Sequence, residues 1–443
     1  MDPAAEFNRL VAADPAAARD QWEQLLETFG RRGITFGSAP MRSFLRPHFL
    51  ERKAWNALRA AGDRLMRLAA RAARRAFGGD AGRLCAWLAL PEAHSRWIAL
   101  DPGEPDVVLS RLDAFLTPEG PRFIEINSDA PAGFGYGDRM APAFEALPLF
   151  RRFAGRVPVS YEGSSGRLIE AVLRTWRQRG GSGTPTVAIV DWAEVKTRAD
   201  QEILREAFEV TGVRCFLADP RELVVRDGRL RSESTPIDVV YRRAVLSELI
   251  EKETEVAAFL DSYRRGLAVF VNSFRCQLSE DKAFLALLTG EAFEGLLSGE
   301  EAAFVHRVVP WTRKVEERRT VKDGREIDLL RYVLENREAL VLKPAHGYGG
   351  RSVTVGDGTD AAAWEAAVQA GLGRAWIVQE RVAIPEESFP VFEGGSLAFE
   401  SVKVNTNPFY VEGAQVGAIT RASRSHVINV SAGGGSVPTF VVG

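Results

Sequence analysis

The chain has 443 residues, 46% of them hydrophobic, and its 57 basic residues nearly balance its 59 acidic ones. This composition is typical of a globular protein with two or three packed units, and the charge balance argues against a protein that binds duplex nucleic acid by neutralising many phosphates. No apolar stretch approaches the roughly 20 residues needed to span a bilayer, and the N-terminus lacks the basic-then-apolar layout of a signal peptide. Three widely spaced cysteines indicate no disulfide framework. We therefore expect a cytoplasmic protein with no membrane and no nucleic-acid partner.

The predicted elements fall into four segments and define a mixed α/β (α+β) protein. Residues 1–95 are predicted to be helical, because apolar residues recur at spacings of three and four opposite an arginine-rich face. Residues 96–164 change to a strand period. Residues 165–270 alternate helix and strand, which is typical of a small α/β domain with parallel strands, and contain one predicted hairpin. A helical stretch is predicted at 244–305, across the boundary between the third and fourth segments. The rest of the fourth segment, residues 271–443, mixes strands with glycine-rich turns.

Within the second segment, the sequence Thr-Pro-Glu-Gly at 117–120 predicts a turn, with proline at the second position and glycine at the fourth. We expect residues 117–121 to form the loop of a hairpin, so that Leu116 faces Arg122. This register fixes which residues of the two strands lie opposite one another.

The predicted hairpin collects polar side chains on one face. Asp113 falls opposite Glu125 and Arg111 falls opposite Asn127, and all four share a face because side chains alternate along a strand. Opposed carboxylates destabilise a sheet unless a cation lies between them, and oxygens of this kind are ligands suited to Mg²⁺. Arg111 could then hold a phosphoryl group during transfer. The alternative is an exposed hairpin whose polar face meets water, with Arg111 pairing one carboxylate.

A glycine-rich segment covers residues 339–356. Lys343 lies near the end of an apolar strand, Gly347, Gly349 and Gly350 follow, and a second strand comes next. Glycines let backbone N–H groups approach a phosphate, but the Walker pattern is absent and no helix follows. The segment predicts a strand–loop–strand hairpin over a nucleotide, or, as the alternative, a glycine-rich turn with a surface lysine.

Two further segments are weaker signals. The apolar strand within 375–387 ends at a proline and could offer backbone groups to an adenine edge, with a nearby carboxylate for the ribose. Lys282 is predicted to lie on a helix, where an ordinary surface lysine is the alternative.

Taken in order, these motifs resemble those of the circularly permuted ATP-grasp ligases, in particular the synthetase domain of glutathionylspermidine synthetase. The resemblance extends over residues of about 106–443. It is carried by R-x-D at 111–113, E-x-N-x-D at 125–129, D-K-A at 281–283, K-P-x-x-G-x-x-G at 343–350, and Arg421.

The resemblance implies a circularly permuted ATP-grasp fold, with a helical N-terminal region and a small parallel α/β (pre-ATP-grasp-like) domain. It also implies that ATP and Mg²⁺ serve an ADP-forming ligation of a carboxylate to an amine through an acyl phosphate. The implied roles are Mg²⁺ ligation by Asp113, Glu125 and Asn127; phosphate and adenine-side contacts by Lys282 and Lys343; cover of the triphosphate by Gly347, Tyr348, Gly349 and Gly350; adenine and ribose contacts by Gln379, Val382 and Glu386; and stabilisation of the γ-phosphoryl group and acyl phosphate by Arg111 and Arg421.

The sequence leaves the substrates open. The acid and amine are expected to be small molecules or a short peptide, and Tyr241, Arg242 and Arg243 are placed near the acid. The long interval between Lys282 and Lys343 predicts an insertion at about 290–335. A homodimer is compatible with the sequence. The alternative functions are a phosphotransferase on the same scaffold and a catalytically silent nucleotide-binding protein.

Overall fold

The computed structural model describes residues 2–101, 103, 105–291, 295–347, 352–425, 428 and 434–443. The helices are α1 (Pro3–Ala13), α2 (Pro15–Arg31), α3 (Arg52–Arg75), α4 (Ala81–Trp87), α5 (Glu92–Ile98), α6 (Phe134–Glu145), α7 (Pro148–Ala154), α8 (Ser165–Gln178), α9 (Arg198–Val210), α10 (Leu246–Glu251), α11 (Ala257–Arg264), α12 (Gln277–Glu280), α13 (Ala283–Thr289), α14 (Gly299–Val308), α15 (Leu329–Glu335) and α16 (Ala361–Gly371).

The strands are β1 (Thr35–Phe36), β2 (Ala39–Pro40), β3 (His48–Glu51), β4 (Leu109–Thr117), β5 (Gly120–Asn127), β6 (Val159–Tyr161), β7 (Val187–Val190), β8 (Cys215–Ala218), β9 (Leu223–Arg226), β10 (Arg229–Ser232), β11 (Thr235–Pro236), β12 (Val239–Arg242), β13 (Val269–Val271), β14 (Thr312–Lys314), β15 (Arg319–Lys322), β16 (Arg325–Asp328), β17 (Leu340–Pro344), β18 (Thr354–Val355), β19 (Trp376–Glu380), β20 (Glu386–Glu393), β21 (Ser396–Val411), β22 (Ala414–Ser423) and β23 (Gly435–Val442).

The large sheet has the order β3-β23-β22-β21-β4-β5, with β20 paired to β21 and β6 paired to β23. The predicted amphipathic helix is confirmed as α3, whose apolar stripe packs against the face of β4 and β5 that carries Leu112 and Ile126. The packing is close at Gly62, where a Cβ atom would lie 1.7 Å from the hydroxyl oxygen of Tyr410. The N-terminal region is not purely helical, because its strand β3 runs parallel to β23 in this sheet.

The second sheet confirms the predicted parallel α/β unit. Its order is β13-β12-β7-β8, all neighbours are parallel, and α8 and α9 alternate with its first strands in the chain. The predicted hairpin is also present as β9 and β10. Strand β13, however, lies within the stretch 244–305 that was predicted to be helical. It has only three residues, too few to show a strand period between two helical patterns.

The third sheet has the order β14-β19-β17-β18, and β17 pairs with β18 as the predicted strand–loop–strand hairpin. The range 290–335, which is predicted to be an insertion, contributes to this sheet and to its core. Strand β14 from that range pairs with β19, and α15 contributes Leu329 and Val333 to the core beneath the sheet. The β15–β16 hairpin also lies in this range and forms a two-stranded sheet of its own. Among the described helices, none is long and apolar enough to cross a membrane.

Candidate active site

Strands β4 and β5 bring the predicted polar residues together. Asp113 pairs with Glu125 and Arg111 pairs with Asn127, as the sequence predicts. The Asn127 Nδ2 donates to Asp113 Oδ1 at 3.0 Å and to the Arg111 carbonyl oxygen at 3.3 Å, so the amide oxygen is the atom that Asn127 can offer to a cation. Asp113 is only 7% exposed, so this face of the hairpin does not simply meet water.

The turn of this hairpin is tighter than predicted. Thr117 pairs with Gly120, and Leu116 faces Pro121, one residue earlier than the predicted partner. A β-bulge then accommodates Ile124 as one extra residue on β5, and this restores the predicted register before the carboxylates. The pairing at the site is therefore as predicted although the pairing at the turn is not.

Three cationic side chains converge on the two carboxylates. Arg111 Nε and Arg421 Nη2 each lie 3.4 Å from Asp113 Oδ1, and Lys282 Nζ lies 3.0 Å from Glu125 Oε1. Burial would raise the pKa of Asp113, but the charges of Arg421 and Arg111 hold it below its usual value. Burial lowers the pKa of Arg111 to about 10, and the nearby Arg421 charge acts in the same direction. The site thus concentrates positive charge around the buried Asp113 and the half-buried Glu125.

The third sheet contributes Lys343 and Gln379. Lys343 is 8% exposed, so it is not a surface lysine, and its Nζ donates to Gln379 Oε1 at 2.7 Å. The Gln379 Nε2 in turn donates to the Thr312 hydroxyl at 3.0 Å, which fixes the orientation of the amide. Burial lowers the pKa of Lys343 to about 8.

Lys282 joins the hairpin to the glycine-rich loop. It lies between α12 and α13, and besides its contact with Glu125 its Nζ donates to the Gly347 carbonyl at 2.7 Å. Its backbone N–H donates to the Ala345 carbonyl at 3.1 Å. Gly347 has φ +99°, a left-handed conformation that favours glycine. With its side chain only 11% exposed, Lys282 is not the ordinary surface lysine of the alternative interpretation.

The other predicted nucleotide contacts are dispersed. Tyr348, Gly349 and Gly350 lie outside the described residues. Val382 lies in the connection between β19 and β20. The Glu386 carboxylate contacts Lys403 Nζ at 3.0 Å and Ser401 Oγ at 2.5 Å on β21, so it is engaged with the large sheet. The roles of these residues in adenine and ribose binding stay predictions.

Two buried asparagines on β21 belong to the site and were not predicted. Asn407 lies between the paired positions Thr406–Ala114 and Phe409–Arg111, which places it opposite Asp113. Its Nδ2 donates to Asn405 Oδ1 at 2.6 Å, whereas its own Oδ1 is buried without a hydrogen-bond partner. The alternation of Lys403, Asn405 and Asn407 along β21 was a signal for this face that the sequence prediction did not use.

A third unpredicted residue, Glu280, supports the end of β5. Its carboxylate accepts hydrogen bonds from the backbone N–H groups of Ser128 and Asp129, the latter at 3.0 Å. Burial, with the charge of Asp129, raises the pKa of Glu280 to about 7. No sequence motif indicated this contact, because it joins residues far apart in the chain.

The expected place of Tyr241, Arg242 and Arg243 beside an acid substrate finds no support in their contacts. Arg242 is buried and forms an ion pair with Asp129, the last residue of the E-x-N-x-D motif. Arg243 Nη1 donates to the Pro131 carbonyl at 2.7 Å, and Tyr241 is 1% exposed. These side chains connect the parallel sheet to the loop that follows β5.

The oxygen atoms around Asp113 are of the chemical kind that binds magnesium. Asp113, Glu125 and Asn127 offer carboxylate and amide oxygens, and the unpartnered oxygen of Asn407 lies on the same face. Within the described ranges, no three His, Cys, Asp or Glu side chains converge on one point. Such a small set of oxygens suits Mg²⁺, which usually retains water and phosphate oxygens as its other ligands.

Comparison with known proteins gives one family match and two structural neighbours. Residues 199–423 match the family described as Circularly permuted ATP-grasp type 2. A glutathione synthetase-like effector from Globodera pallida, solved in its apo form, is similar over 96% of both chains with a TM-score of 0.59 and 12% identity. A putative gamma-glutamylcysteine synthetase from Methylobacillus flagellatus KT aligns with a TM-score of 0.40 and 10% identity over 84% of this chain and 85% of its own, too weakly to support an argument. None of the curated proteins matches the sequence significantly.

The protein belongs to the circularly permuted ATP-grasp type 2 family and is, in general terms, an ATP-dependent ligase. The matched range contains Lys282, Lys343, Gln379 and Arg421, and it ends at the close of β22. The β4–β5 hairpin precedes it, so the metal assignment depends on the geometry described above.

Proposed function

We propose that this protein is an ADP-forming carboxylate–amine ligase that uses ATP and Mg²⁺ and forms an acyl phosphate. The proposal depends mainly on Lys282, whose ammonium group contacts both Glu125 on the β4–β5 hairpin and Gly347 at the start of the glycine-rich loop. This contact joins the hairpin that is proposed to hold Mg²⁺ to the loop that is proposed to cover ATP.

The chemistry begins with activation of the acid. A carboxylate oxygen of the substrate attacks the γ-phosphorus of ATP, the bond from that phosphorus to the β,γ-bridging oxygen breaks, and ADP leaves. Transfer of this kind depends mainly on positioning and charge neutralisation. Arg111 and Arg421, which flank Asp113, can hold the migrating phosphoryl group, and Lys282 and Lys343 can bind the other phosphates.

The amide bond forms in the second step. The amine nitrogen attacks the acyl carbon, the carbon–oxygen bond to phosphate breaks, and the nitrogen gives up a proton. No protein nucleophile is required. In agreement, burial raises the thiol pKa of each cysteine, Cys85, Cys215 and Cys276, which keeps these residues protonated.

Mg²⁺, held by Asp113, Glu125 and Asn127 with the nearby oxygen of Asn407, would neutralise the charge of the phosphates. For the adenine and ribose, the proposal keeps Gln379, Val382 and Glu386. The acid and amine are proposed to be small molecules or a short peptide, and the compartment to be the cytoplasm.

The test is release of ADP by the purified protein with Mg²⁺, screened over amino acids, short peptides and amines. We expect ADP and phosphate only when a matching acid and amine are both present, together with a product whose mass is that of the amide. ADP with a stable phosphorylated product in the absence of an amine would indicate a phosphotransferase instead. AMP and pyrophosphate, or no turnover with any pair, would contradict the proposal.

Two variants of one hairpin test the residue assignment. Glu125→Gln keeps the shape of the side chain but removes the charge that faces Lys282, and we expect kcat to fall by about two to three orders of magnitude. Glu119→Gln changes an acid in the turn of the same hairpin and should leave kcat unchanged. If Glu125→Gln retains wild-type turnover with an unaltered circular dichroism spectrum, the metal assignment is wrong.

A further inference from the structure

His346 connects parts of the protein that are far apart in sequence. Its Nδ1 contacts the Asp281 carboxylate, and its Nε2 lies 3.1 Å from the carbonyl oxygen of Ala89 in the N-terminal region. Asp281 is almost fully buried, with 1% of its side chain exposed, and its other oxygen accepts the backbone N–H of Ala283 at 2.8 Å. The imidazole ring is thus held between the start of α13 and the turn that follows α4.

These partners determine the protonation state of the ring. A carboxylate oxygen and a carbonyl oxygen are both acceptors only, so both ring nitrogens of His346 must carry a hydrogen. A neutral imidazole has a single N–H and would leave either Asp281 or Ala89 without its hydrogen bond. The contacts therefore favour the imidazolium form.

The charges around His346 oppose one another. Asp281 favours the cation, whereas Lys282 and the neighbouring His94 on α5 disfavour it. Burial lowers the pKa of His346, but the hydrogen bond and charge of Asp281 and the Ala89 carbonyl more than compensate, so this pKa is raised above its ordinary value.

Lys282 also joins the stretch of chain that carries Asp281 to the stretch that carries His346. Ala345 accepts the Lys282 backbone N–H, and Gly347 accepts its ammonium group, so the contacts of Lys282 flank His346 on both sides. Asp281 and His346 form the intervening contact. Loss of this ion pair would leave the two hydrogen bonds of Lys282 to hold residues 345–347 against this segment.

We propose that the His346 imidazolium is a positioning residue for ATP, which fixes the start of the glycine-rich loop against Asp281 and so orients Lys282 toward the phosphates. The inference rests on the proposed function, because it takes Lys282 as a phosphate ligand. It also assigns the N-terminal region a part in nucleotide binding, through the Ala89 carbonyl. Deprotonation of His346 should weaken the binding of Mg·ATP.

The experiment compares the Kd of Mg·ATP for the wild-type chain and for His346→Gln from pH 6 to pH 9 by isothermal titration calorimetry. The ratio of the two Kd values cancels the titration of Lys343, which is present in both proteins. We expect the ratio to be about tenfold at pH 6 and to fall as the pH rises, because the wild-type histidine loses its proton and with it the advantage over glutamine. His306→Gln, a matched change on α14, should give a ratio of one throughout.

A second variant separates charge from packing. Asp281→Asn keeps the oxygen that accepts the Ala283 N–H but removes the negative charge, so the His346 pKa, followed by its imidazole NMR signal, should fall. The inference is overturned if the Kd ratio for His346→Gln is close to one at pH 6 or constant with pH, or if the His346 pKa is unchanged in Asp281→Asn. Wild-type protein that binds Mg·ATP at no pH would overturn the proposed function as well, whereas wild-type binding with an unaltered ratio overturns this inference alone.

Discussion

Lys343 carries its charge inside the protein, where burial lowers the pKa of the ammonium group to about 8. Below that pH the lysine is charged and can bind a phosphate, and above it the charge is lost. We therefore expect kcat/KM for ATP to fall as the pH rises through about 8, because this constant reports the ionisation of the free enzyme. Lys343→Arg keeps a charge at all accessible pH values, so in a His346→Gln background, which lacks the other group proposed to titrate in this range, this decline should disappear. A variant whose profile still declines near pH 8 would exclude Lys343 as the titrating group.

At the scale of residues, the sequence predicts side chains whose neighbours follow from a local period. The opposition of Asp113 and Glu125 is predicted because both lie on strands that a single turn connects. Glu280 is not predictable in this way, since its partners Ser128 and Asp129 come from a distant segment. Arg242 shows the opposite case. A charged residue at the end of a strand suggests a ligand site, but the partner of Arg242 is the buried Asp129, which the sequence does not indicate.

At the scale of elements, β21 carries a test of the metal site. Asn407 places a buried amide oxygen without a partner opposite Asp113, and an unpartnered buried oxygen costs stability unless something binds it. We expect Asn407→Leu to change the free energy of unfolding by less than about 1 kcal/mol without Mg²⁺, because removal of this oxygen offsets the lost bond to Asn405. The concentration of Mg²⁺ needed for half-maximal ADP release should rise about tenfold. A large loss of stability with an unchanged Mg²⁺ requirement would show that Asn407 is structural.

The elements also show where the sequence predicts pairing and where it does not. Strands β7, β8 and β12 are predicted because their apolar runs alternate with helical patterns, whereas β13 has only three residues between two helical patterns. The tight turn at 118–119 and the bulge at Ile124 compensate one another, so a wrong turn still gave the right register at the site. Strand β14 was assigned to an insertion because sequence distance alone does not show that its partner is β19.

At the scale of the whole molecule, the N-terminal region is part of the ligase fold. Strand β3 extends the large sheet, α3 covers its apolar face, and the Ala89 carbonyl reaches His346. Residues 1–95 were predicted to be helical from their period, but a period cannot show which sheet the helices cover. The large sheet therefore joins strands from both ends of the chain around the candidate site.

The stability of the whole molecule should depend on pH in two opposite ways. Burial and Asp129 raise the pKa of Glu280 to about 7, so the folded state holds a proton that the unfolded state releases above about pH 4.5. Its contribution to the free energy of unfolding therefore falls as the pH rises from about 4.5 to 7. Burial would raise the pKa of Glu387 too, but His48 and Arg46 hold it at about 2, so its contribution is lost only as the pH falls from about 4.5 toward 2.

Glu280→Gln removes the loss of stability that Glu280 causes as the pH rises, and Glu387→Gln serves as its matched control. Relative to wild type, Glu280→Gln should gain stability between pH 4.5 and pH 8, by about 2 kcal/mol once the partial exposure of the carboxylate is allowed for. Glu387→Gln should be less stable than wild type throughout pH 5 to pH 8, because its ion pair with Arg46 is complete over that range. Urea unfolding at a series of pH values measures both differences. A difference for Glu280→Gln that does not change with pH would mean that this carboxylate is already ionised in the folded protein at pH 5, and that the backbone N–H groups of Ser128 and Asp129 outweigh its burial.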